Sequence, residues 1–135
     1  MNTLHWPARV YYEDTDAGGV VYHANYLRFL ERARTEWFRA HGYLLSELAA
    51  DPGVLFVVAE VNVRYRRPAR LDDLLVTSCE AARDGAATVV FSQQIRRGRE
   101  DGELLLEATV RAACVGAGDF RPRRLPAQIL GDLRQ

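Results

Sequence analysis

The chain has 135 residues, 48% of them hydrophobic, and its 18 basic and 18 acidic residues give a formal net charge of zero. That length fits one domain over residues 1–135 with a core that needs no disulfide or structural metal. The charge balance excludes a global basic field for nucleic acid, so any recognition of an anion has to be local; every basic residue is arginine, which suits bidentate phosphate contacts. Cys79 and Cys114 fall inside apolar strand patterns without the close spacing of a zinc or redox motif, which predicts two buried thiols. No apolar run approaches the roughly 18 residues needed to cross a bilayer, and the opening MNTLHWPARV lacks a basic-then-apolar signal pattern, so a soluble, cytoplasmic protein is expected.

In chain order, Trp6, Val10, Tyr11 and Tyr12 favour a strand that Pro7 restricts to an edge or to a start beyond it, and the strand is expected at about residues 9–13. Glu13, Asp14 and Asp16 end that run, and Gly18 and Gly19 permit a sharp reversal. A helix is expected over about 22–40. Tyr26, Leu30, Ala33, Trp37 and Ala40 keep its three-or-four spacing, and Leu27, Phe29 and Phe38 widen the apolar stripe beyond one face. Gly42 stands where a left-handed cap would end the helix, and His41, near the negative dipole end, is given a structural role.

A short helix is expected within SELAADPG, after which the period changes to two. Leu55, Val57, Ala59, Val61, Val63 and Tyr65 mark one face of a long strand, and Glu60, Asn62, Arg64 and Arg66 the other. Phe56 and Val58 are apolar on that second face, which suggests a subunit contact. Three more strands follow at about 74–82, 87–96 and 103–115; Asp84-Gly85 and Asp101-Gly102 between them are hairpin signals, so an antiparallel meander is expected. In the last, Leu104, Leu106, Ala108, Val110, Ala112 and Cys114 share a face. An extended Arg/Pro segment at 120–126 leads to a short terminal helix at 127–133. One strand, one long helix and four strands make an α+β arrangement in which a single antiparallel sheet wraps one helix. Apolar surface left over calls for a second subunit.

The chemistry is concentrated in YYEDTDAGGVVYHANYLRFLERARTE. A strand, a tight loop and a helix would set Asp16 opposite the free N–H groups at the helix start, those of Val21, Tyr22 and His23. A carbonyl lodged there would be polarised as an oxyanion site requires, and Asp16 could attack its carbon or deprotonate a water. The competing readings are an Asp16 that closes an Asx-turn or caps the helix, and a His23 that orients the loop, donates to a leaving group or satisfies a local hydrogen bond. Asp14, Asp16 and His23 could be drawn as a metal site, but no second histidine stands at ligand spacing. Gly18-Gly19 lacks the spacing of a nucleotide-binding loop.

The same residues, with the core DTDxxGVVYHxNY, are similar to the signature of hotdog-fold acyl-CoA thioesterases of the 4-hydroxybenzoyl-CoA thioesterase type. VNVRYRRPARLDD and FRPRRLP resemble the branch associated with the Tol-Pal system. The resemblance implies a hotdog fold, five antiparallel strands around one long central helix, assembled as a homodimer or homotetramer. It also implies hydrolysis of acyl-CoA without metal or organic cofactor, with Asp16, Tyr12 and His23 as catalytic residues and the polarising N–H at about His23. Arg64, Arg66, Arg67 and Arg70 are dense enough to meet the phosphates of CoA, although solvated strand-end charges are commoner. Two alternatives stand beside this reading. One is a hotdog dehydratase pairing His23 with Glu31 or Glu36. The other is a non-catalytic module that docks acyl carrier protein or an envelope-assembly partner.

Overall fold

Tyr26, Phe29, Leu30, Ala33 and Trp37 recur at three- and four-residue spacing along helix α1 (Tyr26–Ala40), and all are buried. They pack against one five-stranded sheet in the computed structural model, which describes residues 3–133. Its strands are β1 (Leu4–Arg9), β2 (Val54–Tyr65), β3 (Leu74–Arg83), β4 (Thr88–Arg97) and β5 (Leu104–Gly116). All neighbours are antiparallel, in the order β1-β3-β4-β5-β2, so β3, β4 and β5 form the expected meander. Two short helices, α2 (Leu45–Ala50) and α3 (Ala127–Asp132), complete the described chain.

The core has two parts. One gathers Trp37, Phe38, Phe91 and Val110 and is closed by Leu48 of α2 and Ile129 of α3. The other gathers Phe29, Leu30, Ile95 and Leu106 with Val10 and Val21 from the segment that precedes α1. Trp37 and Phe29 are almost wholly buried, and truncating such residues typically costs about 3–5 kcal/mol. Gln93 is the polar exception on the inner face of β4. It donates from Nε2 to the Leu30 carbonyl at 3.0 Å and accepts from Arg34 at 3.1 Å. Cys79 and Cys114 are buried and unpaired, and burial pushes the Cys79 thiol up to about 12. His41 holds the Trp37 carbonyl through Nδ1 at 2.8 Å, and Gly42 at φ +90° ends the helix.

Three expectations need correction. The first strand is Leu4–Arg9 rather than 9–13, with Pro7 inside it. An edge strand tolerates a residue without an N–H, whereas Tyr12–Asp14 turn into a 3-10 helix because the Asp14 carboxylate takes the Tyr11 amide at 2.9 Å. Helix α1 begins at Tyr26 rather than Tyr22. Tyr22 is extended, at ψ 133°, and His23–Asn25 form a separate 3-10 turn. The faces of β2 also exchange. A bulge between Val58 and Glu60 turns Val54 and Phe56 inward before it and Val63 inward after it. Phe56 therefore has a partner within the chain, the Phe38 ring at 4.9 Å, while Val58 remains 49% exposed.

Candidate active site

The segment between β1 and α1 is held by one buried carboxylate. Asp14 is 6% exposed; its Oδ2 accepts the Tyr11 amide and its Oδ1 the Asn25 side-chain amide at 2.8 Å. Its backbone carbonyl accepts the amide of Tyr22 at 2.9 Å. Asp14 thus ties the loop to the entry of α1 from both ends. Between these anchors, an isolated antiparallel bridge joins Thr15 to Val21, and Gly19, at φ +82°, makes the reversal. Asp16 lies in this loop with its carboxylate exposed. Oδ1 accepts the Gly18 amide at 2.8 Å, an Asx-turn, and Oδ2 has no partner among the described residues.

The three amides expected to face a ligand are not equivalent. Val21 donates to the Ala69 carbonyl at 2.9 Å and Tyr22 to that of Asp14, so both are engaged in the fold. The amides of His23 and Ala24, in the first turn of the 3-10 helix, have no acceptor among the described residues. The His23 ring is exposed beside that of Tyr22, 4.6 Å between centroids. No hydrogen bond or ion pair joins Asp16 to His23.

His23 borders a cleft of about 300 Å³ lined also by Val21, Tyr26, Tyr65, Arg66 and Arg67. Tyr12 does not reach it within one chain. It is 81% exposed and borders a separate cleft of about 510 Å³ with Tyr11, Arg9, Leu71 and Asp72. The four arginines do not converge either. Arg66 pairs with Glu107 at 2.7 Å and Arg67 lies 3.8 Å from Glu103, both beside the cleft. Arg64 borders a shallow polar groove on the sheet face away from α1, and Arg70 sits across from Val20. Glu36, one carboxylate of the dehydratase arrangement, is paired with Arg39. Among the described residues no group of three His, Cys, Asp or Glu side chains is placed to hold a metal, and no helix is long and apolar enough to cross a membrane.

A family model described as "Thioesterase superfamily" matches residues 18–105. The chain belongs to the thioesterase superfamily. Acyl-CoA thioester hydrolase YbgC of Escherichia coli O6:H1 is 47% identical over 100% of both chains. A probable thioesterase from Bartonella henselae is 38% identical, with a TM-score of 0.85 over 92% of this chain and 99% of its own. A 4-hydroxybenzoyl-CoA thioesterase variant, solved with 4-hydroxybenzoyl-CoA, superposes with a TM-score of 0.86 over 97% of this chain and 98% of its own; at 19% identity it shares the hotdog fold. The family match in this thioesterase begins at Gly18, so Tyr12 and Asp16 precede it, although both lie within the span of the full-length relative. Three residues that shape the site escaped the sequence reading: Asp14 as an anchor, Asn25 as its partner, and Tyr65, whose hydroxyl donates to the His23 carbonyl at 2.6 Å.

Proposed function

We propose that this thioesterase hydrolyses acyl-CoA to a carboxylic acid and CoA at the His23 cleft, with Asp16 acting on the thioester. The observation that carries the reading is the His23 amide, a donor left without an acceptor among the described residues while both preceding amides are engaged. A thioester carbonyl oxygen seated there gains negative charge as its carbon is attacked, and a fixed N–H stabilises that charge more than the ground state. Asp16 has one oxygen oriented by Gly18 and one free. As nucleophile, the free oxygen adds to the carbonyl carbon, the C–S bond breaks, and water then splits the mixed anhydride. As general base, it takes a proton from the attacking water. In both routes the CoA thiolate leaves and is protonated, and the exposed His23 ring at the cleft is suited to supply that proton.

The composite site includes a second copy of the chain, paired along the exposed edge of β2 to give a homodimer or homotetramer. Tyr12 as a catalytic residue and the Tol-Pal association follow from the resemblance, the cytoplasmic location from the expectation read off the sequence, and acyl carrier protein is the partner of the alternative, non-catalytic reading. The test is turnover of short, long and aromatic acyl-CoA by wild type and Asp16→Asn. The Asx-turn survives this substitution, so melting temperature should hold while turnover falls by about two orders of magnitude or more. Equal turnover in both proteins would exclude Asp16 from the chemistry.

A further inference from the structure

Tyr65 is the last residue of β2 and sits 42 positions from His23, yet its phenol reaches that residue's backbone. The hydroxyl donates to the His23 carbonyl at 2.6 Å, at the short end for an O–H···O bond. The ring is half exposed, so water was available to the hydroxyl as a partner. Its position is fixed on both sides. Tyr65 pairs with Leu106 in the sheet, and its ring meets the buried Tyr26 ring edge-on at 5.6 Å. Tyr26 in turn accepts the Ala69 amide on its own hydroxyl at 3.0 Å.

The carbonyl of His23 and the amide N–H of Ala24 belong to one peptide unit. A hydrogen bond accepted at the oxygen draws charge through the resonant C–N bond and makes the N–H a stronger donor. That N–H has no acceptor among the described residues, and neither has the N–H of His23. We infer that Tyr65 is a positioning residue of the thioesterase site, locking and polarising the His23–Ala24 peptide so that the Ala24 N–H serves as a second oxyanion donor. This inference rests on the proposed site at His23. It also accounts for a strand-end tyrosine at the mouth of the cleft that the chemistry of Asp16 leaves without a task.

Tyr65→Phe removes the hydroxyl and keeps the ring. Because the affected donor acts mainly in the transition state, kcat should fall about tenfold with KM held within about twofold. The backbone 15N resonance of Ala24 should move upfield without substrate present. Tyr43→Phe is the matched control: it deletes a hydroxyl that donates to Asp132, the last residue of α3, at 2.8 Å, and should leave kcat unchanged. The inference is overturned if Tyr65→Phe keeps wild-type kcat, or if it loses kcat only in proportion to a rise in KM or a lost melting temperature. Asp16→Asn separates the two levels. An inactive Asp16→Asn beside a fully active Tyr65→Phe removes only the role of Tyr65, whereas an active Asp16→Asn removes the site and this inference with it.

Discussion

Asn25→Asp should destabilise the protein in a way that depends on pH, and the geometry around Asp14 sets both sign and size. In the native chain the Asn25 amide donates to Asp14 Oδ1 at 2.8 Å, in a place where Asp14 is 6% exposed. A carboxylate at position 25 would put two acids at that separation, and such a pair retains one proton rather than ionising twice. The unfolded chain has no such constraint, and its new aspartate ionises near about 3.9. The folded variant therefore binds more protons than the unfolded one above that pH, so its stability falls as pH rises, by up to about 1.4 kcal/mol per unit. It should match wild type near pH 4 and trail it by about 2–4 kcal/mol at pH 7, roughly 10 °C in melting temperature for a domain of this size. Asp14→Asn alone is milder, because the Asn25 amide can turn its oxygen toward the new NH2. The exchange Asp14→Asn with Asn25→Asp should recover most of the loss: the new amide donates to the relocated carboxylate and accepts from the Tyr11 N–H. Melting curves of the four proteins at pH 4, 5.5 and 7 measure this. A pH-independent deficit in Asn25→Asp, or no recovery in the exchange, would refute the pairing argument.

Two other outcomes are expected. Val58→Asp or Val61→Asp, at positions 49% and 39% exposed on the outer edge strand β2, should shift the protein to monomer in sedimentation; a wild type already monomeric at micromolar concentration would remove the β2 interface. Arg66→Ala or Arg67→Ala should raise KM for acyl-CoA about threefold to tenfold and leave a small N-acetylcysteamine thioester unaffected, as loss of a phosphate contact requires. Equal effects on both substrates would take the arginines out of CoA binding.

The meander was legible because its signals are local. Strict alternation and two Asp-Gly pairs place β3, β4 and β5 within one or two residues of where the sequence puts them. The segment 10–25 was not, because its conformation is decided by contacts between residues far apart in sequence. Tyr11 and Tyr12 have the composition of a strand, and only the return of Asp14 onto the Tyr11 amide makes them a 3-10 turn. The apolar spacing of α1 runs back smoothly to Tyr22, but the bond from Tyr22 to the Asp14 carbonyl holds that residue extended. Likewise the bulge in β2 leaves no mark in an alternation of valines, so Phe56 was assigned to the wrong face. Asp16, His23 and the arginines were found as residue types in a motif. Which amide remains free, and which two arginines border the cleft, depends on hydrogen bonds that a motif does not encode.

The two edges of the sheet differ in what they offer another strand. At the β1 edge, Pro7 interrupts the outward row of donors, so an incoming strand would meet a gap there. The β2 edge runs for 12 residues without a proline. A two-fold pairing along β2 would consume the only receptive edge of each copy and leave a proline-bearing strand at both ends of a ten-stranded sheet. The sheet would stop at ten strands, and a protein with a long apolar edge strand would be protected from extending into a fibre by one residue at the opposite border.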